Sequence, residues 1–212
     1  MFVGGSVVGL LITDDGAADP RATLDVDAIA DITSYPQYAA FGERLRALGF
    51  TEDVSEGAPL CRWTSGRMIL DVMPLDETIL GFSNRWYKAA MECSLTKRLS
   101  TDLEIRTVTA PYFVATKLEA FKGRGKRDFV GSHDLEDLVS VIDGRETLAA
   151  EISAERQELR TSIRDEVRSL LADPAFVDAL PGYLLPDVAS QSRITFVLSR
   201  LKELAFPDKE QL

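Results

Sequence analysis

The stretch Arg21-Ala22-Thr23-Leu24-Asp25-Val26-Asp27-Ala28-Ile29 decides how this chain is read. From Thr23 to Ile29 polar and apolar residues alternate, the period-2 signature of a β-strand. Alternate residues of a strand point to one face, so the carboxylates of Asp25 and Asp27 project the same way. Two like charges held close together are costly unless a cation lies between them. Hard divalent ions such as Mg2+ seek such oxygens and keep water and phosphates as further ligands.

Working outward, two other features bear on these acids. Upstream, Phe2-Val3 reads as the end of a buried strand, and Gly4-Gly5-Ser6 turns from it into the apolar run Val7–Ile12. Glycines between a strand and a helix let a phosphate approach the backbone, and free N–H groups at a helix start attract anions. A buried strand this close to residue 1 leads us to expect that an N-terminal element is missing. Downstream, Asp71 stands alone in the apolar strand Ile69-Leu70-Asp71-Val72-Met73. Burying a charge without a partner is expensive, and a metal shared with Asp25 and Asp27 would supply one.

The remaining pattern organises the chain. A helix is expected from Tyr38 to Leu48. Two strands, Leu60–Thr64 and Arg67–Met73, flank a Ser65-Gly66 turn and end at Pro74. A further strand pair covers Leu95–Leu99 and Leu103–Val108. Pro111 opens a helix whose buried stripe is Val114, Leu118 and Phe121, leaving Lys117 off that stripe. Ser132 caps a second helix that Gly144 stops. Glu146–Leu171 and Ser190–Leu204 read as long helices. The expected organisation is an α/β core over residues 1–110 and a helical region over 111–212.

Composition excludes several classes. With 45% hydrophobic and 27% charged residues, the chain is neither disordered nor collagen-like. No apolar stretch approaches the roughly 20 residues of a membrane span, and no export signal is apparent, so a cytoplasmic protein with reduced Cys61 and Cys93 is expected. The single His133 excludes a histidine-cluster metal site. The formal charge of −10 is uneven. Residues 1–79 carry 13 acids and 5 bases, whereas Lys117, Lys122, Arg124, Lys126 and Arg127 gather around one Glu119. An acidic section followed by a basic one suits cations in the first and phosphates in the second.

The order Gly-Gly-Ser, Asp-hydrophobic-Asp, hydrophobic-Asp-hydrophobic resembles the three-part pattern of the nucleotidyltransferase (polymerase-beta-like) superfamily. Arg21-Ala22-Thr23-Leu24-Asp25-Val26-Asp27 is similar to the R-x-T-x-D-h-D strand of the AbiEii-type toxins of type IV toxin–antitoxin pairs. Thr116-Lys117-Leu118-Glu119-Ala120-Phe121, Arg124 and His133-Asp134-Leu135-Glu136-Asp137-Leu138 resemble that group's helical segments, with His133 standing where Arg or Lys is usual. The likeness covers residues 3–143.

This resemblance implies a mixed sheet flanked by helices and transfer of a nucleoside monophosphate from an NTP. Asp25, Asp27 and Asp71 would bind Mg2+ or Mn2+, and Asp71 would also activate the acceptor. Gly4, Gly5 and Ser6 would hold the phosphates, with Lys117 neutralising the triphosphate and Arg21 and Asp134 as further nucleotide-site residues. The implied acceptor is the 3′ end of tRNA, and an antitoxin is an implied partner. Two alternatives stay open: a small-molecule, antibiotic-type nucleotidyltransferase, and a non-catalytic binding protein of the same fold.

Overall fold

A computed structural model describes residues 1–207. In chain order its strands are β1 (Phe2–Val3), β2 (Asp25–Ala30), β3 (Thr51–Glu52), β4 (Arg62–Ser65), β5 (Met68–Pro74), β6 (Leu95–Ser100) and β7 (Leu103–Thr107). Its α-helices are α1 (Val8–Leu11), α2 (Tyr35–Ala47), α3 (Glu77–Leu80), α4 (Tyr87–Glu92), α5 (Ala110–Arg124), α6 (His133–Gly144), α7 (Leu148–Ser153), α8 (Gln157–Leu171), α9 (Pro174–Ala179), α10 (Val188–Ser192) and α11 (Ile194–Ala205). A short 3-10 turn spans Gly5–Val7. No helix of the described residues is long and apolar enough to cross a membrane.

The chain is of the α/β class and divides into two compact units. Among the described residues the first holds 1–7 and 22–109, the second 8–21 and 110–207. Residues 8–21, read from sequence as part of the core region, thus belong with the helical unit.

The first unit is built on a seven-stranded mixed sheet in the order β3-β4-β5-β2-β1-β7-β6. β2 runs parallel to β5 and antiparallel to β1, and β1 runs parallel to β7. Parallel neighbours need a crossover rather than a tight hairpin. Between β2 and β5 the connection includes α2, which Pro36 helps to start. The α2 residues Phe41 and Leu45 pack with Trp63 and Val72 of the sheet, which seats the helix there. Gly66-Arg67 forms the turn from β4 to β5, one residue later than the Ser65-Gly66 turn expected from sequence, because Ser65 still pairs Met68. Gly66 sits at φ +59°, where a side chain would be strained.

The second unit is helical. α5 is buried on nearly every side, from Ala110 through Leu118 without interruption. This corrects the expected position of Lys117 off the buried stripe: Lys117 is only 8% exposed. α6 is capped by the Ser132 hydroxyl, which accepts from Leu135 N, and it ends at Gly144. The expected continuous helix over 146–171 is broken into α7 and α8. Residues 154–156 leave the helix there, and Arg160 Nη1 donates to the Ser153 carbonyl at the break (3.2 Å). The expected helix over 190–204 is likewise divided, between α10 and α11. At that division Arg193 turns its guanidinium onto Asp143 (2.9 Å) and Asp14 (2.6 Å).

Candidate functional site

The first unit assembles a row of charge across three strands. In the parallel pair β2–β5, Asp27 is the register partner of Asp71. In the antiparallel pair β4–β5, Arg62 is the partner of Asp71. Directly paired residues share a face of the sheet, so Arg62, Asp71 and Asp27 line up side by side. Asp25, two residues before Asp27, lies on the same face. The sheet therefore sets the three acids singled out from sequence on one face. Asp71 is only 6% exposed, as expected for an acid set among apolar neighbours.

Arg62 was not anticipated. Its Nε donates to Asp71 Oδ1 (2.9 Å) and its Nη2 to Asp71 Oδ2 (2.7 Å), a bidentate pair. The same Nη2 reaches Asp25 Oδ2 at 3.3 Å. The hydrogen-bonded Asp71 raises the Arg62 pKa still further above its ordinary value, so the guanidinium is permanently charged. The expected Ser65-Gly66 turn would have paired 64 with 67 and hence 62 with 69; the observed pairing of Ser65 with Met68 shifts that register and places 62 against 71.

Two further residues shape the row. Thr23 Oγ1 donates to Asp25 Oδ1 at 2.7 Å and so orients that carboxylate. Gly4 follows Val3, the β1 partner of Asp27, and adopts φ +69°. A Cβ on Gly4 would lie 1.9 Å from Asp27 Oδ2. Only glycine allows the backbone this close to the acid. The Gly4-Gly5-Ser6 turn therefore lies directly beside Asp27, and the Ser6 hydroxyl donates back to the Val3 carbonyl (3.3 Å).

The donor set suits a hard divalent cation, because three carboxylates on one face offer only oxygens. As they stand, no three acid, histidine or cysteine side chains of the described residues are gathered as a metal-holding group. Asp25 and Asp71 are drawn together on Arg62 instead.

Within the second unit, the other expected site residues form a buried ion-pair network. Lys117 Nζ donates to Asp134 Oδ1 (3.2 Å) and Asp137 Oδ2 (2.6 Å). Arg124 pairs with Asp134 (2.9 and 3.0 Å), and Arg21 with Asp137 (3.0 and 3.3 Å). Burial alone would raise the Asp134 carboxyl, but Arg124 and Lys117 outweigh it and hold the group below the usual carboxylate range. Arg21, which the resemblance implies for the nucleotide site, is thus engaged with Asp137 of α6. The basic stretch is also largely neutralised: Lys122 pairs with Glu166 and Arg127 with Asp173. Four of its five bases are therefore in ion pairs.

Comparison with known proteins adds no name to this geometry: neither the family models nor the curated proteins give a match to the chain.

Proposed function

We propose that this chain is a divalent-cation-dependent nucleotidyltransferase, moving a nucleoside monophosphate from an NTP to an acceptor hydroxyl. The reading rests on one observation: Asp27 and Asp71 are paired across β2–β5, with Asp25 on the same face and a glycine turn against Asp27. Asp25, Asp27 and Asp71 would hold the cations. When bound, such ions lower the charge on the transferred phosphoryl group and orient in-line attack. The backbone of Gly4 and Gly5, with Ser6, would receive the phosphates beside the acids. Asp71 would accept the proton of the acceptor hydroxyl as the new O–P bond forms. The bond between the α- and β-phosphates breaks, and pyrophosphate leaves.

The tRNA acceptor is implied by the resemblance alone, with residues 117–127 as the surface that would receive its phosphates. Four of the five bases there pair with acids of the same chain, Lys117 in the interior and the other three at the surface, so the proposal stops at nucleotidyl transfer. The test is incubation with each labelled NTP, Mg2+ or Mn2+, and either total RNA or a cationic aminoglycoside. Label transferred by the wild type and lost in Asp27→Asn supports the reading. Failure to label or to release pyrophosphate with any NTP defeats it. The same assay separates a polynucleotide acceptor from a small-molecule one.

A further inference from the structure

We propose that Arg62 is the resident counter-ion of the acid row, and that a divalent cation gains Asp25 and Asp71 together only by displacing it. The inference rests on the reading of the row as a cation site. One nitrogen, Nη2, contacts oxygens of both carboxylates. It lies between the two groups that a shared ion would have to bridge. The Nε contact occupies the other Asp71 oxygen.

The placement is built into the fold. The β4–β5 register sets Arg62 opposite Asp71, and its side chain is only 22% exposed. An arginine cannot be neutralised by raising the pH. Relief therefore requires movement of the side chain and not loss of its proton.

The opposite role is easily stated. Arg62 could stay on Asp71 and orient it as a metal ligand, in which case losing it would weaken metal binding by roughly 10–100-fold. Displacement predicts the other sign. The shared contact to Asp25 favours displacement, because an orienting partner for Asp71 would have no need to occupy the space between the two acids.

The experiment measures Mn2+ binding alone, by electron paramagnetic resonance of the unbound ion and by thermal melting with and without Mn2+. It compares wild type, Arg62→Gln, Arg62→Lys and the double variant Arg62→Gln/Asp25→Asn. Arg62→Gln should bind Mn2+ about tenfold more tightly, the equivalent of removing one charge-assisted hydrogen bond. It should also gain more melting temperature from the ion than wild type does. Adding Asp25→Asn should cancel the gain. Arg62→Lys, which cannot form the bidentate bridge, should fall between, and it carries the test if Arg62→Gln does not fold without metal. Equal or weaker Mn2+ binding in both single variants overturns the proposal, as does Mn2+ binding by none of the proteins. Nucleotidyl transfer by the wild type is scored separately. Transfer without any effect of Arg62 on Mn2+ affinity defeats displacement alone. Tighter Mn2+ binding without transfer defeats the transferase reading alone.

Discussion

Asp27 and Asp71 face each other across the parallel strands β2 and β5, although 44 residues separate them in the chain. Neither acid is placed by a local motif. Their proximity is a product of sheet register, and a one-residue slip of either strand would turn its acid to the opposite face. Asp71 is buried and held by Arg62, whereas Asp27 is partly exposed beside the glycine turn. The two acids should therefore respond differently to substitution.

Asp27→Asn should abolish nucleotidyl transfer while changing stability by less than about 1 kcal/mol, because it keeps the side-chain shape and removes one of three neighbouring negative charges. Asp71→Ala should also abolish transfer, but it should cost about 2–3 kcal/mol by stranding Arg62 without its bidentate partner. Urea unfolding in EDTA together with the labelled-NTP assay measures both. Equal stability losses for the two variants would contradict this division.

Gly4 and Gly66 offer a matched comparison, since both lie at positive φ. A Cβ at Gly66 meets nothing within 4 Å, whereas one at Gly4 collides with the Asp27 carboxylate. Gly66→Ala should cost only the left-handed backbone strain of about 1–2 kcal/mol. Gly4→Ala should cost more and should also displace Asp27, so transfer should fall with it. If Gly4→Ala melts at the same temperature as Gly66→Ala and keeps its activity, the close approach of turn and acid has no consequence.

Much of this was legible in sequence because it depends on local pattern. Alternation around Asp25 and Asp27 marked β2, Pro74 closes β5, and Ser132 and Gly144 bound α6. What escaped depends on pairing between elements. Arg62 has no motif of its own and gains meaning only opposite Asp71. Lys117 looked solvent-facing because three apolar residues defined a stripe, yet α5 is packed all round and its lysine is stabilised by acids from another helix. The break at 154–156 has neither glycine nor proline to announce it.

Cys61 gives an inexpensive probe of the core beside the site. Burial, reinforced by the nearby Asp71 carboxylate, pushes its thiol up to about 12. At pH 8 the native protein should therefore react rapidly with iodoacetamide at no more than one thiol, Cys93. Cys61 should become modified only at the rate of unfolding. Mass spectrometry of the alkylated peptides checks this, and fast labelling of Cys61 in native buffer would show that β4 opens locally.

The ion-pair network of α5 and α6 carries the last prediction. Lys117→Met would leave Asp134 with Arg124 alone and Asp137 with Arg21 alone, both carboxylates staying buried. Breaking a buried pair from one side typically costs 3–5 kcal/mol, and because each acid keeps one cation a loss of about 2–3 kcal/mol is expected here. The pH dependence has a definite sign. The Asp134 carboxyl titrates lower in the native protein than in the unfolded chain. Its contribution is fully present above the ordinary carboxylate range and is lost as pH falls through the depressed native value. Asp134→Asn should thus lower the urea midpoint at neutral pH and flatten its decline in acid. Measuring midpoints for wild type, Lys117→Met and Asp134→Asn from neutral to strongly acidic pH tests this directly, and NTP binding on the same proteins separates the two roles of the lysine. A Lys117→Met protein as stable as wild type but unable to bind NTP would assign Lys117 to the triphosphate, as the family resemblance implies. A destabilised protein that still binds NTP would assign it to the helical core.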